Sequence, residues 1–531
     1  MTLKKYSDDD HHKDVAVLHS MGYAQELERR MSAFSNFAVS FSIICILSGG
    51  INSLGQATAG AGGASIGIGW PVGCLISGVF ALGMAQIASA YPTAGGLYHW
   101  SSILGGRFAG WLTAWLNLLG LITVLGAINA GTWGFFGSSI GAWFGVATDA
   151  STAEGFRNQI VFVAAITFVQ ALINHLGIRL TAKLTDFSGY LIFAVTVVLT
   201  IACFAFAEHW DWSRIWTFTN YTGDPTLNGA GELKGDPVWP SRVSMTMSFL
   251  LSLLLPIYTI TGYDASAHTS EETQKAALSA PRGMVNSVIW SALFGYAMVV
   301  GFLLLIPNMG DAAKQGWNVF FWALDARFPV WLKNALYVAI FISQFLCGLA
   351  TVTSASRMIF AFARDGGLPG SKLLSNVSPT FRTPVVAIWF GAIASVLFVW
   401  GASLVTIGGS SAYTIVVSCT VIFLFFSFAL PIGCGLIAHG RTWTDMGPWS
   451  IGVLFKPIAV LSILAAALIF VIGVQPPNDW ALYITVGFIV LALLVWFAFE
   501  QRRFQGPPIG EMIAKRQAAI VAAEKRVGEA V

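Results

Sequence analysis

Three long stretches of the chain carry no formal charge. No Asp, Glu, Lys or Arg occurs from Met31 to Gly106, from Phe108 to Thr148, or from Thr383 to Gly440. A helix that crosses the hydrocarbon core of a bilayer needs about 20 apolar residues, so each stretch holds one or two crossings. Composition agrees. Of 531 residues, 56% are hydrophobic and 10% are charged, against about 25% charged in a typical soluble domain. So few charges cannot cover the surface of a soluble fold of this size. The net charge of +3 is not clustered as a nucleic-acid binder would need. The apolar runs are continuous rather than alternating, which argues against a β-barrel. The expected class is an all-α integral membrane protein.

Charges and turn residues divide the chain into twelve expected spans: 36–60, 69–90, 108–135, 158–177, 184–207, 245–269, 284–306, 331–360, 384–401, 406–430, 451–473 and 480–499. Both tails then lie on one side. With the tails inside, 22 Lys and Arg residues are cytoplasmic and 7 are external, together the chain's 29. The positive-inside rule therefore predicts cytoplasmic termini. The longest external loop, 208–244, carries Trp210, Trp212, Trp216 and Trp239, which suit an interfacial belt. The stretch Val15–Met31 and the stretch after Ile509 read as helices lying on the membrane or on the protein. Cys45, Cys74, Cys203, Cys347, Cys419 and Cys434 lie in apolar runs without a CxxC pair and read as core residues. The first thirty residues lack an apolar core, so no cleavable signal peptide is expected. His11 and His12 follow three aspartates; a solvated tail is the reading, with a metal site as the alternative. No metal centre or cofactor is implied.

Two spans are interrupted. The first contains Ser48-Gly49-Gly50-Ile51-Asn52 at mid-span. The sixth contains Ile260-Thr261-Gly262-Tyr263-Asp264. A helix break inside a membrane frees backbone groups that hydrocarbon cannot satisfy, so they must face protein, water or a ligand. Close packing through small residues is the alternative. Breaks five spans apart suggest an inverted repeat, spans 1–5 against 6–10, with a substrate site at the midplane. Free N–H groups at Gly50, Ile51 and Asn52 would attract a carboxylate. Free carbonyls at Leu47, Ser48, Ile260 and Thr261 would attract an ammonium. Asp264 is an acid deep in a span, a functional candidate by default. Helix capping, or pairing with His268 one turn on, is the competing role.

These residues resemble a known family. The run Gly262-Tyr263-Asp264-Ala265-Ser266-Ala267-His268-Thr269-Ser270-Glu271-Glu272-Thr273 looks like the sixth-span signature of the amino acid/choline transporter family, within the amino acid–polyamine–organocation superfamily. Gln25–Met31, Tyr91–Trp100, Thr353–Pro369 and Phe504–Pro507 resemble further signatures of that family. The resemblance implies a five-plus-five inverted repeat with discontinuous helices 1 and 6 and two extra helices. The domain division is then a 1–35 tail with an amphipathic helix, a first repeat 36–207, the 208–244 loop, a second repeat 245–430, spans at 431–499 and a 500–531 tail. It also implies alternating-access transport of a small amino acid or amine, γ-aminobutyrate foremost, with choline or a polyamine as the alternative. By carry-over, Ser48 to Asn52 would bind the carboxylate and Ile260 to Tyr263 the amine.

Two positions depart from the superfamily. Gln86 stands where many members have Glu, and Ile192 where some proton-coupled relatives have Lys. Proton coupling by that lysine is therefore not expected, and the coupling ion, H+ or Na+, is open. Thr351, Thr353 and Ser354 would line a sodium-type site, or simply bond to their own helix. Glu271 and Glu272 with Arg357 and Arg364 would form an ionic gate on the cytoplasmic side, or ordinary surface charge. Trp115, Asn117, Ser410, Ser411 and Tyr413 would face the site or pack in the core. A membrane enzyme needs a nucleophile beside the Asp264–His268 couple, and no such motif accompanies it. A nutrient sensor would bind substrate without moving it, and neither tail carries a recognisable signalling module.

Overall fold

The first interrupted segment sits at the centre of the molecule. Its most apolar window is 94% buried, against 17% for the last span, Trp480–Arg503. The computed structural model describes residues 6–149, 152–222, 244–407, 410–475 and 478–529, with the backbone alone for 406–407 and 410–417. Trp239 and most of the 208–244 loop lie outside these residues, as do the side chains of Ser410, Ser411 and Tyr413.

Among the described residues, eleven helices are long and apolar enough to cross a membrane. They are Ala33–Asn52, Gly63–Ala90, Arg107–Ser138, Ala153–His175, Ile178–Phe206, Ala276–Leu305, Val330–Arg364, Val385–Ser403, Ser418–Ala438, Gly452–Gly473 and Trp480–Arg503. The region expected to be the sixth span is made of shorter pieces: Met245–Ser252, Leu254–Thr259 and, past a break, Ala265–His268. The helix Ala412–Ala438 runs on through Pro431, beyond the 430 boundary drawn from sequence. Neighbouring helices can satisfy the carbonyl that a proline leaves free inside a membrane.

The half-helix Ala33–Ile44 packs against Ala276–Leu305, Ile178–Phe206 and Val330–Arg364. On the other side of the core, Arg107–Ser138 lies along both Ala412–Ala438 and Val330–Arg364. Glycines let large side chains through at these contacts. At Gly295 a Cβ would fall 2.3 Å from the Trp70 ring. Trp70 is 1% exposed, and its indole N–H donates to the Ala292 carbonyl at 3.0 Å.

The two chain ends meet at one end of the molecule. The N-terminal helix is Asp8–Ser20 rather than the expected 15–31. A capping box between Ser7 and Asp10 starts it, with Asp8, Asp9 and Asp10 in its first turn. It stops before Gly22, which adopts φ +81° with a Cβ position 2.6 Å from Pro508. Residues 23–31 then run without regular helix beneath the C-terminal helix Glu511–Val527. His19 pairs with Glu524 at 2.6 Å, and Arg526 pairs with Glu26 at 2.6 Å. His11, read as part of a solvated tail, pairs with Glu529 at 2.8 Å.

Candidate functional site

The two breaks face each other. The first half-helix ends at Cys45, a non-glycine residue in the left-handed region with φ 32°, a conformation that costs about 1–2 kcal/mol. Strain of this kind persists only where the surroundings hold it. The N–H groups of Ser48 and Gly49 both donate back to the Cys45 carbonyl, at 2.7 and 3.1 Å. Asn52 N–H, expected to be free, donates to the Ser48 carbonyl at 2.9 Å because the helix has already restarted at Gly49. Gly50 and Ile51 N–H take no backbone acceptor among the described residues. The Leu47 carbonyl accepts from Gln344 Nε2 at 3.2 Å.

The second break runs from Ile260 to Asp264 and turns at Gly262, φ +85°. A Cβ there would lie 2.2 Å from Ile43 Cγ2, and one at Gly49 would lie 2.9 Å from Thr259 Cα. Glycine at each break thus lets the two backbones touch. Side chains of the first half-helix satisfy the second break. Ser40 Oγ donates to the Tyr263 carbonyl and accepts from Ser266 N–H, both at 2.9 Å. Asn36 Nδ2 donates to the Ser266 carbonyl at 2.9 Å.

Between the breaks lies a chamber of about 20 Å³ lined by Ser48, Gly49, Thr261, Gly262 and Asp264. That is room for about one water molecule. Ile43, Ile44, Leu121, Val124, Ile128, Tyr258, Thr259, Cys347 and Leu424 complete its wall. Above it, away from the chain termini, opens a vestibule of about 380 Å³ whose walls include Asn52, Gln56, Gln159, Trp317, Ser418 and Asn478. Among the described residues, no wall residue of the vestibule is charged. Tyr258 borders both spaces. Of the remaining predicted site residues, Ile51 packs with Leu199 and Met298. Position 50 points at Met298 and Trp70. Ile260 is wholly buried, and the Tyr263 ring packs on Phe428. Cys347 and Tyr258 escaped sequence reasoning: an apolar-run cysteine and tyrosine carry no signal until the helices are assembled.

Asp264 is fully buried. It stands at the N-cap position of Ala265–His268, yet its side chain makes no capping bond. Its Oδ2 accepts from Asn117 Nδ2 at 3.2 Å and lies 3.3 Å from His268 Nε2. Trp115, weighed alongside Asn117, packs on Trp111 and Phe362.

Below the chamber lie two buried ion pairs. Arg357 donates through Nε and Nη2 to Glu272 at 2.9 and 2.7 Å. Arg364 donates through Nη1 and Nη2 to Glu271 at 3.0 and 2.8 Å. Glu271 also accepts from Ala94 N–H at 3.0 Å. The Arg357–Glu272 side chains are 1% and 0% exposed, so this is a desolvated fork rather than surface charge. The N-terminal segment covers it. Arg29 donates to the Ser270 carbonyl at 3.1 Å, and Tyr23 stacks under the Arg364 guanidinium, 3.8 Å from ring centre to Cζ. The suggested ion-site hydroxyls do not share a partner. Thr351 donates to the Cys347 carbonyl at 2.9 Å, Thr353 donates to Asn174 Oδ1 at 2.7 Å, and Ser354 Oγ has no partner among the described residues. Gln86 Oε1 accepts from Ile451 N–H at 2.7 Å, tying Gly63–Ala90 to the residue that opens Gly452–Gly473.

The model of the family described as "Amino acid permease" matches residues 31–499. The chain belongs to the amino acid permease family. Permeases of this family are transporters, not enzymes, and this chain is an integral multi-pass membrane protein. It is 29% identical over 521 residues to the amino-acid permease BAT1 of Arabidopsis thaliana, covering 92% of this chain and 95% of that one. It is 31% identical over 513 residues to the BAT1 homologue of Oryza sativa subsp. japonica, covering 93% and 95%. The thiamine transporter thi9 of Schizosaccharomyces pombe is 28% identical over 527 residues, covering 94% and 87%.

Proposed function

We propose that this permease is a secondary active transporter that moves a small neutral amino acid, with γ-aminobutyrate the leading candidate, by alternating access. The observation that carries this reading is the meeting of two helix breaks around one chamber. The half-helix that restarts at Gly49, with Ser48 and Gly49 on the chamber wall, suits a carboxylate, although Gly50 and Ile51, whose N–H groups take no backbone acceptor, are not among the lining residues. Asp264, with Oδ1 unpartnered on the opposite wall, suits an ammonium. In this reading the vestibule receives the substrate, since 380 Å³ falls in the range of small-molecule pockets. The chamber must widen to admit it, and Tyr258 is the side chain that stands between. The Glu272–Arg357 and Glu271–Arg364 pairs form the closed gate on the far side.

The same reading includes twelve spans in a five-plus-five inverted repeat, both termini in the cytoplasm, and the cell membrane as location. A cationic amine, such as choline or a polyamine, is the second reading. The buried carboxylate of Asp264 favours it, and a relative is named as a thiamine transporter. Uptake into liposomes of labelled γ-aminobutyrate, alanine, choline and putrescine tests both. Neutral amino acids should compete with one another and choline should not. Uptake of choline alone would overturn the first reading, and binding without uptake of any compound would favour a sensor over a transporter.

A further inference from the structure

The first helix break is fastened to Val330–Arg364 through two thiols as well as an amide. Cys45 Sγ donates to the Ser343 carbonyl at 3.8 Å, and Cys347 Sγ donates to the Ile43 carbonyl at 3.3 Å. Ser343 lies one turn before Cys347, and Ile43 lies two residues before Cys45. The donations therefore cross, and the two thiols also interact with each other, side chain to side chain. Beside them Gln344 Nε2 donates to the Leu47 carbonyl at 3.2 Å. All three contacts join the break to one helix. Cys45 is 0% exposed and Cys347 1%.

Core packing by itself does not account for this pair. Cys45 holds φ 32°, a conformation that glycine adopts freely and that strains any side chain. Gly49 and Gly50 stand a few residues on, so the segment is not short of glycine. What a glycine at position 45 would lack is the thiol. Cys347 lines the chamber, and Tyr258 borders both the chamber and the vestibule. A small solute arriving from the vestibule thus meets one of the two sulfurs. The other four cysteines show no thiol partner among the described residues.

We infer that Cys45 and Cys347 form an oxidisable dithiol, and that its disulfide pins the first break to Val330–Arg364 and stops transport. The oxidant is a small hydroperoxide, hydrogen peroxide in the simplest case, entering from the vestibule. The sulfur of Cys347, on the chamber wall, attacks one peroxide oxygen. The O–O bond breaks, Cys347 becomes a sulfenic acid, and the displaced oxygen leaves as water with the thiol proton. The sulfur of Cys45 then attacks the sulfur of Cys347. The S–S bond forms, the S–O bond breaks, and hydroxide leaves with the Cys45 proton as a second water. The two thiols together lose two electrons, and the peroxide gains them.

The seam between the break and Val330–Arg364 is where a covalent bond matters most. Under the proposed alternating access the broken span shifts against its neighbours. Three hydrogen bonds can yield to that shift, and a disulfide cannot. A chamber of about 20 Å³ admits about one water, so the oxidation waits on the same widening that admits substrate. The loss of transport rests on the permease reading. Formation of the bond does not, and the experiment reads the two separately.

The whole chain, reconstituted in liposomes, is treated with hydrogen peroxide, quenched with a thiol alkylator, digested and mapped by mass spectrometry. Parallel vesicles are assayed for counterflow of labelled γ-aminobutyrate and alanine. The expected map holds a linked peptide pair containing Cys45 and Cys347, lighter by two hydrogens than its separate thiol peptides. Counterflow should fall about tenfold or more and return with dithiothreitol. In Cys45→Ser and Cys347→Ser, each compared with its own untreated activity, the same dose should change counterflow by less than about twofold. Reversal in the wild type carries the test if a serine variant fails to fold. Sulfenic or sulfinic acid at either residue without the link, or two unreacted thiols, would overturn the dithiol. A link that leaves counterflow unchanged would overturn the lock and leave the permease reading standing. If neither probe shows counterflow in the untreated wild type, the permease reading for these substrates fails and the lock falls with it, while the peptide map still decides the dithiol.

Discussion

The two ends of the core are built from opposite materials. The end that gathers the termini is closed by buried ion pairs, Arg357–Glu272 and Arg364–Glu271, under a second layer that includes Arg29, Tyr23, Glu26, Glu524 and Arg526. The opposite end holds a 380 Å³ vestibule whose wall, among the described residues, has neutral polar groups and apolar surface but no charge. The closed end is held by directional bonds that must break together. Among the described residues, the wall of the open end has no ion pair to break. A charge pair out of water gains much of its worth from complete pairing, and losing one member strands the other. Under the proposed alternating access, the asymmetry makes opening toward the termini the costlier motion, and the sharpest tests of the comparison lie there.

Arg357→Ala leaves Glu272 buried and unpaired, and should cost about 3–5 kcal/mol. Thermal unfolding in detergent would report it as a large drop in melting temperature. Replacing both Arg357 and Glu272 with methionine should recover most of that stability while uptake stays lost, if the pair acts as the proposed gate. Recovery of uptake would break the comparison. Gly262→Ala comes next. It meets a left-handed backbone and a position 2.2 Å from Ile43, so about 1–3 kcal/mol from overpacking adds to the backbone cost. Uptake should fall with it, as the breaks are pushed apart.

A pH dependence belongs to the closed end. Burial, assisted by the Arg364 charge, pushes His99 down from 6.5 to about 3. Its neutral form is the folded one, so the stability linked to it is complete above pH 6.5 and is lost as pH falls from 6.5 toward 3. The slope should reach about 1.4 kcal/mol per pH unit for this one group. His99→Phe should flatten the acid limb of a stability-against-pH curve. An unchanged limb would assign it to other groups.

Smaller effects mark the edges of the two regions. Arg526, 49% exposed in its pair with Glu26, should contribute about 0–1 kcal/mol, less at high salt. Gln159→Lys in the vestibule wall should leave stability within about 0.5 kcal/mol. It should also depress uptake of cationic more than neutral substrates, which initial rates across a charge series would measure.

Most of the membrane architecture was legible because hydrocarbon allows one local solution, a helix with its backbone bonds satisfied internally. The charge-free stretches and the glycine clusters at 49–50 and 262 announce spans and breaks without reference to anything distant. Asp264 stood out for the same reason. Its role did not, because the capping bond that local sequence suggests is absent, and its partner Asn117 is 147 residues away. The extended course of 23–31 was equally hidden. Its apolar spacing suits a helix, but the segment bonds instead to the backbone beside the buried ion pairs, with Gln25 donating to the Glu271 carbonyl at 2.9 Å.

By itself, then, the sequence determined that this chain lies in a membrane, roughly where it crosses, and which two crossings break. These follow from solvation of the backbone and from the number of apolar residues, both local quantities. Only the tertiary structure decided which of the marked residues meet. It placed Ser48, Gly49 and Asp264 on one chamber and turned position 50 toward Met298 and Trp70. It also joined arginines to glutamates 85 and 93 residues away. Such pairings depend on how helices pack across the core, and desolvation gives them their strength only after that packing is complete.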